Sequence, residues 1–210
     1  MTLQARDDVS VSMEADVTDL ILHDIQTGIL ASGSWLKQVD LERRYNCGRN
    51  QVRRALDRLA QKRLVEHVPN RGYHVYEPDG KQAAEVAEIR IILETAIAGK
   101  IAMNATQGDI RTLRSLAEQF DQLVLNGTML QLYEVNLSFH HYLISLGGNH
   151  ELTTLINEIR QRTSSAPVSQ WRTRARIEVS AKEHHQMIDA IVARDGETLR
   201  QLLVRHISQS

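Results

Sequence analysis

Apolar residues recur through Cys47–Arg63 at Val52, Ala55, Leu56, Leu59 and Ala60. The i, i+3, i+4, i+7, i+8 spacing predicts a helix with one buried stripe. Its other face carries Arg49, Asn50, Arg53, Arg54 and Asp57. Upstream, Ser12 can cap a helix reaching about Leu30, with Val17, Leu20, Ile21 and Ile25 inward and turn residues from Gly28 to Ser34 ending it. A short helix is predicted over Val39–Tyr45, with Leu41 and Tyr45 inward. Asn46-Cys47-Gly48 then forms a tight link into the Cys47–Arg63 helix. Two helices joined by a short Gly-containing turn make a helix-turn-helix. Leu64–Val68 and Tyr73–Tyr76 read as short strands around the turn Pro69-Asn70-Arg71-Gly72, which adds a hairpin wing.

Glu77-Pro78-Asp79-Gly80 is polar and turn-rich, so a boundary is expected there, with domains at 1–78 and 79–210. Beyond it every pattern is helical. Gln82 to about Asn104 places Val86, Ile89, Leu93, Ile97 and Ile101 inward. Further helices are expected from about Gly108 to Leu125, from a Thr128 cap to Leu146, and from an Asn149 cap to Ser164. Two more run from Arg174 to Ala193 and from Gly196 to Ile207, with a loop at 166–171. The expected fold is mostly α: an N-terminal winged helix-turn-helix with a small β-hairpin, then an antiparallel helical bundle.

Composition changes this picture in two ways. The single cysteine, Cys47, excludes an internal disulfide and suits a reducing cytoplasm, and no run of residues suggests a leader or a membrane span. The formal net charge of −1 conceals an asymmetry: Trp35–Tyr76 holds ten basic and four acidic residues, a local +6 that leaves −7 elsewhere. A basic module joined to an acidic one fits a nucleic-acid binder with a separate regulatory domain.

Chemistry follows from the side chains. Arg pairs bidentately with guanine and Asn or Gln with adenine, so the polar face of the Cys47–Arg63 helix suits a major groove. Arg71 at the wing tip can reach the DNA backbone or a minor groove. A solvated charged face remains the alternative for such a run. In the bundle, Asn136 and His140 share one helical face, and His184 and His206 lie on two other helices. Three imidazoles converging in a bundle can hold Zn, Ni, Fe or Cu, although a lone helical histidine is commonly just a polar residue. His141 and His185 must point elsewhere. A three-histidine site also admits a metal-dependent hydrolase-like enzyme, disfavoured because no carboxylate stands out as a general base and the winged helix would have no task. A non-specific structural DNA binder is a further alternative.

DIQTGILASGSWL, LERRYNCGRNQVRRALDRL and LVEHVPNRGYHV resemble the winged helix of GntR-type bacterial transcription regulators. The second half resembles the all-helical, FCD-type ligand domain of the FadR-like branch. Its marks are Arg90 with Glu94, Phe139-His140, Gly148-Asn149, Glu183-His184 with Ile188-Asp189-Ala190-Ile191, and Asp195 followed by His206. The resemblance covers about residues 14–208. It implies no enzyme but a cytoplasmic homodimeric repressor or activator, with repressor the expected sign, on a pseudo-palindromic double-stranded operator. A small carboxylate effector and a divalent metal would occupy the second domain. Arg43, Arg44, Arg49, Asn50, Gln51, Arg53 and Arg71 would contact DNA. Asn136, His140, His184 and His206 would ligate the metal, and Arg90 and Asn136 would meet the effector. Arg90 could equally pair within its helix, with Glu94 or Glu88.

Three departures stand in the DNA half: Gly48 where a hydroxyl residue is usual, Arg54 where Glu is usual, and Ser32 where Pro is usual. The main departure is Asn136, where the family's ligand is usually Asp. Four neutral ligands leave a divalent cation uncompensated, so either the metal is weak or absent, or an anionic effector completes the charge.

Overall fold

The structure, a computed structural model, describes residues 16–77, 79–163 and 174–208. Helix α1 (Val17–Gln26) starts at Asp16, whose carboxylate accepts the Thr18 N–H at 3.0 Å. The expected Ser12 cap lies outside the described residues. The helix ends at Gln26 rather than near Leu30, because Gly28 turns the chain at φ 75° and leaves Ile29 exposed. Strand β1 (Trp35–Leu36) leads into α2 (Gln38–Tyr45), and left-handed Asn46 makes the turn to α3 (Arg49–Gln61). Strands β2 (Val65–Val68) and β3 (Gly72–Val75) form the wing. The sheet has three antiparallel strands in the order β1-β3-β2, with Trp35 opposite His74 and Leu36 opposite Tyr73. The predicted hairpin is present, and β1 extends it.

Val52, Ala55, Leu56 and Leu59 are all buried, as their spacing required. They pack with Ile21, Ile25, Leu41, Tyr73 and Val75 into one core. Asp24 of α1 is buried beneath α2, where it accepts from Arg44 Nε at 2.5 Å and from the Tyr45 hydroxyl at 2.7 Å. That carboxylate locks the first helix against the second.

Helix α4 (Gly80–Ala96) and α5 (Ala98–Asn104) replace the single long helix expected there, with a break at Ile97. The remaining helices are α6 (Gln107–Asn126), α7 (Met129–Ser145), α8 (His150–Thr163), α9 (Arg174–Val192) and α10 (Gly196–Ser208). Thr128 caps α7 through the Gln131 N–H, and the Asn149 side chain accepts from Leu152 N at 3.0 Å, both as predicted. The expected 166–171 loop falls outside the described residues. One apolar core gathers Ile101, Leu113, Phe139, Leu143, Met187 and Leu203 from α5, α6, α7, α9 and α10.

Of the positions expected inward here, Leu93 packs on the core and Ile97 and Ile101 are buried, but Ile89 is not. Ile89 is 42% exposed and Ile92 59%, while Arg90 and Glu94 are buried. The helix turns charge, not its isoleucines, towards the bundle, and that rotation builds the polar centre of the second domain.

Candidate functional site

Two regions carry the chemistry. In the first, Arg49, Asn50, Gln51, Arg53, Arg54 and Arg58 stand exposed on α3, opposite its buried stripe. Gly48 offers no capping hydroxyl, and only the reciprocal half of a capping box is made, the Gln51 Oε1 accepting the Gly48 N–H at 2.9 Å. Of the residues expected to touch DNA, Gln51, Arg44 and Arg49 already have partners within the protein, Arg44 on Asp24 and Arg49 through a long 3.4 Å bond to Gln38 Oε1. Arg43 is exposed, as is Arg71 at the wing tip. The Tyr73 hydroxyl donates to Asp57, tying the wing to α3.

The second region is buried. His140 on α7, His184 on α9 and His206 on α10 converge, with ligating atoms all within 4.8 Å of one another. Phe139 stacks on the His184 ring at 4.2 Å between centroids, and Phe120 meets it edge-on at 5.0 Å. His140 Nε2 and His206 Nε2 lie 2.9 Å apart. His206 Nδ1 lies 2.7 Å from Glu183 Oε2. A carboxylate there draws the proton to Nδ1 and turns the Nε2 lone pair towards the cluster, the usual way an outer carboxylate orients a metal-binding imidazole. Arg176 donates to the same Glu183 Oε2 at 3.1 Å and to the His206 carbonyl at 3.2 Å. Burial holds His140 and His184 well below the ordinary histidine range, with nearby Arg160 and His206 adding to it. Burial also lowers His206, against the opposing pull of Glu183.

Beside the histidines sits a buried triad. Glu94 Oε1 accepts from Arg90 Nε at 2.9 Å, and both its oxygens accept from Arg160, at 2.9 and 2.8 Å. Burial pushes the Glu94 carboxyl up, but Arg160 and Arg90 outweigh it and hold it below its usual value. Burial pushes Arg160 down to about 10, partly offset by Glu94. Of the two open readings of Arg90, the intrahelical pair with Glu94 is present.

Among the described residues, both ring nitrogens of His184, Nδ1 of His140 and the Asn136 Oδ1 are buried without a hydrogen-bond partner. Neutral imidazoles with open lone pairs, plus an amide oxygen one turn from His140, suit a borderline divalent ion held at ~2.0–2.1 Å by nitrogen. The donors fit. His141 and His185 do point elsewhere, to Asn157 and Asp121, each at 2.7 Å. Sequence reasoning missed Glu183 as an orienting group and Arg160 altogether.

Comparison with known proteins bears on both regions. Residues 14–75 match the family described as "Bacterial regulatory proteins, gntR family", and residues 85–209 match the FCD domain, more than half of the chain. The chain belongs to the GntR family, with an FCD domain as its second half. This GntR regulator is 26% identical to the HTH-type transcriptional regulator McbR of Escherichia coli (strain K12) over 204 residues, 95% of this chain and 91% of that one. It is 20% identical to the HTH-type transcriptional repressor RspR of the same strain over 209 residues, 100% of this chain and 92% of that one. The solved structure of E. coli McbR/YncC superposes with a TM-score of 0.82 at 24% identity, over 92% of each chain, and shows the shared fold. The GntR regulator is thus a transcription regulator with a DNA-binding helix-turn-helix, and not an enzyme. Among the described residues, no helix is long and apolar enough to cross a membrane.

Proposed function

We propose that this GntR regulator is a repressor whose operator affinity is set by a small carboxylate bound in the polar centre of residues 79–210, beside a divalent ion. The observation that carries the reading is the convergence of three buried histidines next to the Arg90–Glu94–Arg160 triad. Two guanidinium groups face one carboxylate there, so the triad keeps a net positive charge where little water reaches. Asn136, His140, His184 and His206 would hold the ion, which supplies further positive charge to an anion's oxygens. Asn136 contributes none of the negative charge that Asp would, so the anion becomes the neutralising partner. Arg90 and Arg160 orient it, since guanidinium suits carboxylate bidentately. Glu183 fixes the His206 ring.

Residues 1–78 form the DNA-binding domain in this reading. Arg49, Asn50 and Arg53 meet base edges, Arg43 and Arg71 the backbone, and Arg44 and Gln51 support the helices while reaching phosphates only with their remaining donors. A homodimer would place two α3 helices on the half-sites of a pseudo-palindrome. The outward Ile89 and Ile92 of α4 favour a partner copy there. RspR, named a repressor, supports the sign of regulation.

A thermal-shift screen of small carboxylates on chelator-stripped protein, with and without Zn²⁺ or Ni²⁺, tests the reading. A ligand at ~100 times its Kd adds about 2.7 kcal/mol of stability. A shift requiring both acid and metal is expected. Absence of any response to metal, with or without acids, overturns the sensor reading and makes the histidines structural.

A further inference from the structure

The wing carries an aromatic–cation pair that the readings above do not use. Trp35 on β1 pairs in register with His74 on β3, so both rings stand on the outward face of the sheet, while Leu36 and Tyr73 face the core. Trp35 stays 41% exposed. The β2–β3 turn passes through left-handed Asn70 at φ 63° and Gly72 at φ 101°, a reversal tight enough to bring the Arg71 side chain back over β1. The Arg71 Cζ lies 4.5 Å from the Trp35 ring centroid, and the His74 ring lies 5.1 Å from the same indole.

The pair borders a groove of about 730 Å³ that also includes Lys37, Val39, Tyr73 and Arg49 from the start of α3. Three cations, Lys37, Arg49 and Arg71, line it against one acid, Asp40. The groove therefore joins the wing to the recognition helix, with positive charge on both sides and an apolar ring in its wall.

We propose that Trp35 is a positioning residue: its ring holds the Arg71 guanidinium along a cationic groove, shared with Arg49 and Lys37, that takes one sugar–phosphate strand of duplex DNA. This rests on the DNA-contact reading of α3 and the wing. A free arginine side chain samples many rotamers and must surrender them on binding. Stacked on an indole face, the guanidinium is already confined, and its N–H groups point outward in its own plane, where phosphate oxygens can accept them. The exposed remainder of the indole offers apolar surface to deoxyribose. Trp35 thus acts on binding chiefly through Arg71.

The test uses full-length protein and a duplex that this protein enriches from a random-sequence library. Affinities are measured across a salt series for Trp35→Ala, Trp35→Phe, Arg71→Ala and the Trp35→Ala/Arg71→Ala double variant. Each single alanine variant should weaken binding about fivefold, and the double variant little more than Arg71→Ala alone, because coupled residues are not additive. Trp35→Phe keeps a ring and should retain most of the affinity. The salt slope should shrink by about one phosphate in both single alanine variants. Independent effects that multiply to about twenty-five-fold overturn the proposal, as does an unchanged affinity in Trp35→Ala. In a Trp171→Phe background, Trp35 is the remaining tryptophan, and its fluorescence should respond to the duplex. A silent indole also overturns the proposal, even if Trp35→Ala fails to fold. Arg53→Ala separates the two levels: if wild type enriches no duplex, or Arg53→Ala binds the enriched duplex as tightly as wild type, the DNA-contact reading itself fails, whereas a duplex that needs Arg53 but not Trp35 overturns this proposal alone.

Discussion

Glu94→Gln removes the carboxylate between two buried arginines. The Glu94 side chain is fully buried, and those of Arg90 and Arg160 are 10% and 8% exposed. Breaking a buried ion pair by deleting one partner costs about 3–5 kcal/mol, because the remaining charge has lost its compensation without regaining water. Here two guanidinium groups lose the same partner, so the upper part of that range is expected. Against a total stability of about 5–15 kcal/mol, the loss is large. At ~2–4 °C per kcal/mol for a chain of this size, the melting temperature should fall by roughly 8–20 °C. Urea unfolding of chelator-treated protein, followed by far-UV circular dichroism, measures it. The triple variant Arg90→Met/Glu94→Leu/Arg160→Met should recover most of the loss, since a buried triad is often replaceable by apolar side chains of similar volume. The Glu94 carboxyl is held low in the folded state, so its contribution is present above about pH 4.3 and is lost as pH falls through the lower folded value. The gap between wild type and Glu94→Gln should therefore narrow in acid. A Glu94→Gln protein within about 1 kcal/mol of wild type at neutral pH would refute the assignment of the triad as a compensated buried charge.

Other expectations are as direct. A Cβ on Gly196 would stand 2.6 Å from the Gly99 Cα, backbone against backbone, whereas a Cβ on Gly99 meets nothing within 4 Å. Gly196→Ala should cost about 1–3 kcal/mol and Gly99→Ala very little; equal melting temperatures would contradict the close approach of α10 to α5. His140, His184 and His206 are all held below the ordinary histidine value, so the unfolded chain binds more protons below about pH 6.5. Metal-free stability should fall with pH from there, by up to about 4 kcal/mol per unit for three sites, and a flat profile between pH ~7.5 and ~5.5 would exclude three neutral buried rings. Asn136→Asp should tighten Zn²⁺ binding in effector-free protein, read by chelator competition, and an unchanged affinity would remove the charge reasoning at that ligand.

The α3 stripe and the Thr128 and Asn149 caps were legible because each is a local rule: a 3.6-residue period, or one side chain reaching one N–H. The three histidines were legible as a set through the family resemblance, and their convergence could not be read from spacing. Ile89 was misplaced, and the burial of Arg90 and Glu94 missed, because hydrophobic periodicity assumes that charge faces water. Here Arg90 and Glu94 are buried by virtue of Arg160, which comes 66 residues later on α8. No window of sequence contains that partner. The break at Ile97 has no Pro, and the Gly99 beside it is a lone glycine of the kind a helical pattern tolerates, while β1 is two residues long. Glu183 sits next to His184 in sequence yet serves His206, because adjacent helical positions point about 100° apart.

The polar centre ties together parts of the chain that are remote in sequence. Glu94 meets Arg160, and His140 meets His206, each across 66 residues. Such long closures are entropically expensive and form late, after the local helices. A ligand seated among them recognises only a chain in which α4, α7, α8, α9 and α10 have all docked. It would therefore lengthen the lifetime of the folded regulator against intracellular proteolysis as well as alter its grip on an operator. The quantity of regulator in the cell would then track its ligand on the timescale of protein turnover, a slower memory laid over the immediate response.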